Sequence, residues 1–89
     1  MRTCSLTLGI PVGLHARPAA QFVAMAQQFE SDVLIGYAGE EDSLVDAKRP
    51  IDVLGLDANQ GDQLVLETEG PDEQSALEEL SKFLVGKER

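Results

Sequence analysis

The chain has 89 residues, a net charge of −9, a single histidine and a single cysteine. A chain of this length buries only a modest core, so we expect one domain over residues 1–89 without a deep active site. The acidic balance argues against nucleic-acid binding, which depends on Lys and Arg that neutralise phosphates, and one Cys with one His argues against a zinc site.

The first segment predicts a strand. In "TCSLTL", residues 3–8, Cys4, Leu6 and Leu8 share one face, and the hydroxyl side chains share the other. We interpret Cys4 as a small core residue and the "GIPVG" that follows as a loop. The start of the chain is too polar for a secretory signal, and a lone cysteine forms no internal disulfide, so we predict a cytoplasmic protein.

The second segment, residues 16–30, predicts an amphipathic helix. Apolar residues recur there at three- and four-residue steps and form one stripe. Pro18 fits only in the first turn, where its missing N–H breaks no hydrogen bond. Met25 falls off the stripe, so we expect it to be exposed. The stripe consists of Ala19, Phe22, Val23, Ala26 and Phe29.

The middle of the chain predicts a hairpin followed by a short helix. Residues 32–38 and 43–47 have the composition of strands, and the "GEED" between them indicates a turn. Residues 49–56 suit a short helix that has Pro50 in its first turn and is weakened by Gly55.

The last third predicts a strand and the clearest helix. A loop at residues 57–62 and a strand at residues 63–69 precede the helix, residues 70–87. Pro71 begins this helix and Gly86 ends it. Charged residues that suit the helix dipole stand at its two ends: Asp72, Glu73, Lys82 and Lys87. Its buried stripe consists of Ala76, Leu77, Leu80, Phe83 and Leu84.

These elements give the order β-α-β-β-α-β-α. Because the strands are short and half polar, we expect an α+β fold with helices on one sheet face and water on the other. From the pattern alone, a ferredoxin-like sandwich fits almost as well. No run of about 18 apolar residues is present, so we predict no membrane insertion.

The segment "GLHARPAA", residues 13–20, carries the candidate site. His15 comes just before the first helical turn, where the N–H groups of Ala16 and Arg17 lack partners within the helix. The helix dipole and the Arg17 guanidinium add positive potential, so the segment is suited to bind a phosphate. Residues 1–29 contain two basic residues and no acidic one, which agrees with a site for an anion.

The same segment suits a nucleophile. A neutral imidazole is nucleophilic near pH 7, and positive potential disfavours its protonation, so we expect His15 to be mostly neutral. A phosphoryl group on the ring would place negative charge beside Arg17 and two amide donors. The alternative is a surface or capping histidine, the commoner role of a lone His near a helix start. The neighbouring Gly13, Arg17 and Pro18 favour the site.

The motif resembles the phosphorylation-site signature of the HPr family, the histidine-containing phosphocarriers of the bacterial sugar phosphotransferase system. The chain length, the element order, the "NQGD" loop and the "EGPDEQSALEEL" segment match that family's layout. The resemblance implies an open-faced β-sandwich, in which a four-stranded antiparallel sheet carries three helices on one face. This implication favours the open-faced sandwich over the ferredoxin-like order.

The resemblance also implies a phosphoryl cycle. Phospho-enzyme I passes its phosphoryl group to His15, on Nδ1 in this family, and His15 passes it to a IIA domain of a sugar permease or regulator. Arg17 and the backbone N–H groups of Ala16 and Arg17 stabilise the phosphate. The protein would be a monomeric carrier rather than an enzyme, and would need neither a cofactor nor a metal. Contacts with the partners are implied for Leu14, Pro18, Ala20, Ile51 and Leu54.

One departure from the family concerns regulation. Many members carry a regulatory serine at the start of the second helix, in a Lys-Ser-Ile pattern. Counting back from Gln60 and Gly61 aligns Arg49 with that serine, so we expect no serine-kinase control here. Pro50 and Asp52 also alter the nearby surface, either by ordinary drift or to suit particular partners. The alternative function is therefore an HPr-like regulatory module with a dedicated partner set, and a plain interaction domain is a third, more remote one.

Overall fold

The computed structural model describes residues 1–86 of the chain. Within them it contains the predicted elements and one additional 3₁₀ turn. Their order is β1 (Arg2–Thr7), α1 (Ala16–Gln27), β2 (Asp32–Tyr37), the 3₁₀ turn (Glu41–Ser43), β3 (Val45–Asp46), α2 (Pro50–Gly55), β4 (Gln63–Glu69) and α3 (Glu73–Val85).

The four strands form one sheet in the order β1-β4-β2-β3, and every neighbouring pair is antiparallel. The central strands here are β4 and β2, whereas the two split β-α-β units of a ferredoxin-like sheet would place β1 and β3 in the centre. α3 packs on β1 and β4, and α1 packs against both α2 and α3. The pairing and the packing confirm the open-faced sandwich with three helices on one face.

The core lies between the sheet and the helices. Cys4, Leu66 and Ile35 lie side by side on β1, β4 and β2, and Leu66 and Ile35 are fully buried. The rings of Phe22 and Phe83 stack with their centroids 6.4 Å apart, which joins α1 to α3. Segments outside the sheet and the long helices also contribute buried side chains: Leu8, Leu14, Ala47, Val53 and Ala58.

α1 ends at Gln27, three residues before the predicted end. The chain leaves the helix because the amides of Glu30 and Ser31 donate to the Asp72 carboxylate, each at 2.9 Å, rather than to carbonyls of the helix. Met25 is half-buried against the core, whereas the pattern predicts an exposed side chain. α1 therefore buries a wider surface than the apolar stripe that the periodicity predicts.

α3 begins at Glu73, after a turn that contains Pro71, so Pro71 precedes the helix instead of starting it. Gly86 ends the helix in the left-handed conformation (φ 78°), as predicted from its glycine. The predicted cation at Lys87 lies outside the described residues. Of the predicted stripe, Leu77 and Phe83 are only partly buried. No helix within residues 1–86 is long and apolar enough to cross a membrane.

The β2–β3 hairpin is present but shorter than predicted. β3 contains only Val45–Asp46, which pair with Ile35 and Leu34. The residues before it form the 3₁₀ turn instead of extending the strand. The beginning of α2 lies close to the end of α1, because Nε2 of Gln27, the last residue of α1, donates to the Lys48 carbonyl at 3.0 Å.

Candidate functional site

His15 lies directly before α1, as the sequence predicts. Its backbone is extended (φ −124°, ψ 163°), and the helix begins at Ala16. The imidazole side chain is 34% exposed. The ring is therefore held against the protein on one side and open to an incoming molecule on the other.

The first turn of α1 leaves donors free beside this ring. The first hydrogen bond of the helix runs from the Ala19 amide to the His15 carbonyl, at 3.3 Å. Within residues 1–86, the amides of Ala16 and Arg17 have no backbone partner, and the His15 side chain does not cap the helix. Arg17 is exposed and forms no ion pair with the described residues. These groups together supply the N–H donors and positive charge of an anion site.

The backbone is strained at the residue that follows His15. Ala16 has φ 44°, in the left-handed region, although it belongs to the first turn of a right-handed helix. A Cβ makes this conformation unfavourable by about 1 kcal/mol. Sequence reasoning does not predict the strain, because alanine is the best helix former. Such conformations are concentrated at functional sites.

Gly13 and Ala58 line one side of the imidazole. Gly13 has φ 80°, and a Cβ there would lie 2.8 Å from Cδ2 of His15 and 2.7 Å from the Ala58 carbonyl oxygen. The Leu14 amide donates to the same carbonyl at 3.0 Å. The ring thus lies in a space that a side chain at Gly13 would fill.

The loop between α2 and β4 supplies the polar contacts of the ring. Nε2 of His15 lies 2.9 Å from Oδ1 of Asn59 and 3.8 Å from Oδ1 of Asp57. The stretch of sequence around His15, residues 1–29, contains no carboxylate, but the fold brings Asp57 to the ring from the acidic part of the chain. The sequence singles out the "NQGD" loop that begins at Asn59, but no local pattern predicts that Asn59 contacts His15, 44 residues away.

The comparisons with known proteins assign this arrangement to a family. A family model described as "PTS HPr component phosphorylation site" matches residues 3–85. The chain belongs to the HPr family. The phosphocarrier protein HPr of Lysinibacillus sphaericus is 39% identical over 84 residues, which cover 94% of this chain and 92% of that protein.

Two further relatives agree with the assignment. The HPr-like protein Crh of Bacillus subtilis (strain 168) is 39% identical over 75 residues, which cover 84% of this chain and 85% of that protein. The crystal structure of a phosphocarrier protein HPr from Bacillus anthracis str. Ames matches with a TM-score of 0.87 at 32% identity, covering 93% of this chain and 95% of that one. The predicted resemblance to HPr is confirmed.

One of the residues that sequence reasoning assigns to the partner surface is misplaced. Leu14 is fully buried in the core, so it cannot contact a partner. The resemblance implied a partner contact, but the Leu14 amide donates to the Ala58 carbonyl and the side chain belongs to the core cluster. Pro18 is half-buried and Ala20 is exposed.

An exposed apolar surface flanks the candidate site at His15. On α2, Ile51 is 77% and Leu54 is 45% exposed, although both are large apolar residues. The Asp57 amide donates to the Leu54 carbonyl at 3.1 Å, so this face of α2 leads directly into the loop that contacts His15. Val12, 65% exposed on the segment before His15, is a third such residue that sequence reasoning missed. Its position in a Gly- and Pro-rich loop left no periodic signal.

Arg49, which we predict to align with the family's serine, occupies the position before α2. Its backbone is extended, and its largely exposed side chain places Nε 3.3 Å from Oδ2 of Asp52. The ion pair joins two charged residues one turn apart on the surface of α2, beside the exposed Ile51.

Other reactive groups lie away from this site. Burial raises the pKa of the Cys4 thiol, which keeps it protonated and agrees with its interpretation as a core residue. Within residues 1–86, no group of three or more His, Cys, Asp or Glu side chains is arranged to hold a metal ion.

Proposed function

We propose that this HPr-family chain is a phosphocarrier that accepts a phosphoryl group on His15 and passes it on. The observation that carries the proposal is the position of the imidazole at the start of α1, beside the amides of Ala16 and Arg17 and the Arg17 guanidinium, none of which has a partner within residues 1–86. A partly exposed nucleophile beside an anion site is what reversible phosphoryl transfer requires.

In the forward step, an imidazole nitrogen donates its lone pair to the phosphorus of the donor. The bond between phosphorus and the donor breaks, and its electron pair leaves with the donor. Arg17 and the two amides compensate the charge of the arriving phosphoryl oxygens. Onward transfer is the reverse step to a new acceptor, so the stabilisation has to be moderate. The chain acts as a stoichiometric carrier rather than as an enzyme, without a cofactor.

We infer the partners from the family. The donor is phospho-enzyme I, and the acceptor is a IIA domain of a sugar permease or regulator, in the cytoplasm. Ile51 and Leu54, together with Ala20 and Pro18 on α1, would form the contact surface around His15. The monomeric state remains a prediction.

A second candidate is an HPr-like regulatory module with a dedicated partner set. The charged pair Arg49 and Asp52 favours it, because it adds charge beside the exposed face of α2, whereas the loss of the serine itself argues against the commonest regulatory mode. Charges at an interface change partner choice and encounter rates more than affinity. We favour the carrier, because His15 and Arg17 are both present and accessible.

The test is incubation with purified enzyme I and labelled phosphoenolpyruvate. The carrier predicts an acid-labile phosphate that is absent from His15→Ala and that moves to a IIA domain when one is added. Label that stays on the wild type with every IIA domain tested would favour the regulatory module. Failure of the wild type to take label from several enzymes I would contradict both transfer steps.

A further inference from the structure

We propose that Asn59 is a positioning residue for His15: it holds the Nε2–H of the imidazole so that Nδ1 is left as the attacking nitrogen. The proposal rests on the phosphocarrier function above and assigns a role to the loop between α2 and β4. It starts from the 2.9 Å separation between Nε2 of His15 and Oδ1 of Asn59.

The direction of this hydrogen bond follows from the amide of Asn59. Its Nδ2 donates to the Asp57 carbonyl at 3.3 Å, so its Oδ1 is the atom that faces the ring. The reverse orientation would bring Oδ1 against a carbonyl oxygen. An amide oxygen only accepts, so Nε2 of His15 has to carry the proton. In the neutral ring, the lone pair is then on Nδ1.

Asn59 is itself held in place. Its backbone amide donates to Oδ2 of Asp62 at 2.8 Å, and its carbonyl accepts from the Asp62 amide at 3.0 Å. The Gly61 amide donates to the Leu8 carbonyl at 2.8 Å, which anchors the loop to the end of β1. The acceptor therefore belongs to a residue whose backbone is held in the loop by hydrogen bonds.

The loop is anchored on its other side as well. The Tyr37 hydroxyl donates to the Leu56 carbonyl at 2.6 Å, and the Ala58 carbonyl accepts the Leu14 amide. The ring also lies beside Gly13, and rotation about the His15 side chain would break the hydrogen bond to Asn59. The His15 imidazole is therefore held in one orientation, and Nδ1 is the nitrogen that is left free.

The contact becomes stronger during transfer. When Nδ1 forms its bond to phosphorus and the donor leaves with its electron pair, the ring acquires positive charge while Nε2 keeps its proton. The Nε2–H bond to Asn59 is then charge-assisted, and the exposed Asp57 carboxylate, 3.8 Å from Nε2, is attracted to the ring. An interaction that strengthens on the way to the transition state raises the rate.

The experiment compares Asn59→Leu, which removes the acceptor at similar size, with Asn59→Asp, which retains an acceptor. Gln60→Leu is the matched control, because Gln60 is the adjacent exposed amide and donates to the Gly9 carbonyl instead of contacting His15. Asn59 is exposed, so we expect all variants to fold, and thermal unfolding checks this. Two readouts are used: the Nε2-bound proton of His15 in imidazole ¹⁵N NMR, and the rate of phosphorylation by enzyme I and by phosphoramidate.

The proposal predicts a protected Nε2 proton in the wild type, Gln60→Leu and Asn59→Asp, and its loss in Asn59→Leu. It also predicts that phosphorylation of Asn59→Leu is slowed about three- to tenfold with both donors, with little change in KM for enzyme I. Asn59→Asp should retain most of the rate. An Asn59→Leu variant that keeps the wild-type rate, with or without the proton signal, overturns the positioning role. A wild type that accepts no phosphoryl group from either donor overturns the phosphocarrier function itself.

Discussion

Gly13 leaves the space that the imidazole of His15 fills. A Cβ at position 13 would approach Cδ2 of His15 to 2.8 Å and Nε2 to 3.1 Å, and the backbone there has φ 80°. The ring of the candidate nucleophile is therefore oriented by a residue that makes no polar contact with it. The same glycine brings the segment before α1 next to Ala58, in the loop that carries Asn59.

The first prediction concerns Gly13→Ala. We expect the new methyl group to displace the imidazole and to lower the rate of phosphorylation by enzyme I about ten- to a hundredfold. Gly39→Ala is the control, because Gly39 also has a positive φ (89°) but nothing lies within 4 Å of its Cβ position. Both variants lose stability through backbone strain, by about 1 kcal/mol or more. Equal phosphorylation rates in the two variants would contradict this role of Gly13.

The second prediction concerns Arg17→Gln. Arg17 is exposed and unpaired among residues 1–86, so its loss should leave the free energy of unfolding nearly unchanged. Loss of its charge-assisted hydrogen bonds to the phosphoryl group should lower the equilibrium constant for phosphorylation about ten- to a hundredfold. The partition of labelled phosphate between enzyme I and the carrier measures it. Lys82→Gln, a loss of charge on α3, should leave that partition unchanged, and an effect as large as that of Arg17→Gln would argue against a local role.

The third prediction concerns the strained residue Ala16. In an ordinary helix, Ala→Gly costs about 1 kcal/mol. At φ 44° glycine is unstrained, so Ala16→Gly should leave stability unchanged or raise it by up to about 1 kcal/mol. Ala24→Gly, at an exposed position inside α1, provides the ordinary loss for comparison. Urea unfolding measures both, and equal losses in the two variants would show that Ala16 is not strained.

The fourth prediction concerns the carboxylate that joins the end of α1 to the start of α3. The hydrogen bond from the Ser31 hydroxyl, followed by those from the amides of Glu30 and Ser31, lowers the pKa of Asp72 below its ordinary value of 3.8. A lowered folded-state pKa contributes stability that is fully present above the unfolded-state value and is lost as the pH falls through the folded-state value.

Urea unfolding at pH 7 and at pH values below 3.8 tests this contribution. We expect Asp72→Asn to be less stable than the wild type at pH 7 and to lose less of its stability on acidification. Ser31→Ala, which removes the leading hydrogen bond, should act in the same direction. Parallel acid dependences for the wild type and Asp72→Asn would mean that the contact between Ser31 and Asp72 does not cause the loss.

The fifth prediction separates the core from the partner surface. Leu14→Ala should cost about 2–5 kcal/mol, because Leu14 is fully buried. Ile51→Ala should change stability by no more than about 0.5 kcal/mol, because Ile51 is 77% exposed. Ile51→Ala should instead raise KM for enzyme I or for the IIA domain. Thermal unfolding and transfer kinetics measure the two effects. An unchanged KM for both enzyme I and the IIA domain would show that Ile51 is not part of the contact surface.

The sequence allowed the order of elements and the position of His15 to be predicted, because those features have local signals, whereas the choice of the open-faced sandwich came from the resemblance to the HPr family. Alternation identified β1, three- and four-residue spacing identified α1, and Pro18 marked its first turn. Gly86 was predicted correctly as the end of α3, because a glycine after a helical segment is also a local signal. Each of these signals lies within a few residues of the feature that it predicts.

The surroundings of His15 could not be predicted in this way. Asn59 and Asp57 contact the ring only because the sheet and α2 bring a loop that is distant in sequence next to it. No local sequence pattern predicts that contact. Leu14 was misassigned because a loop residue has no periodicity that separates buried from exposed. The positive φ of Ala16 is opposite to alanine's preference for the right-handed helix, so helix propensity does not predict it.

The central claim is that His15 carries a phosphoryl group at the start of α1. The most direct measurement is ³¹P and ¹⁵N NMR of the protein after incubation with enzyme I and phosphoenolpyruvate. We expect one acid-labile phosphorus resonance coupled to Nδ1 of His15, with the proton retained on Nε2. A phosphorus bonded to Nε2, to another residue or to none would contradict the account.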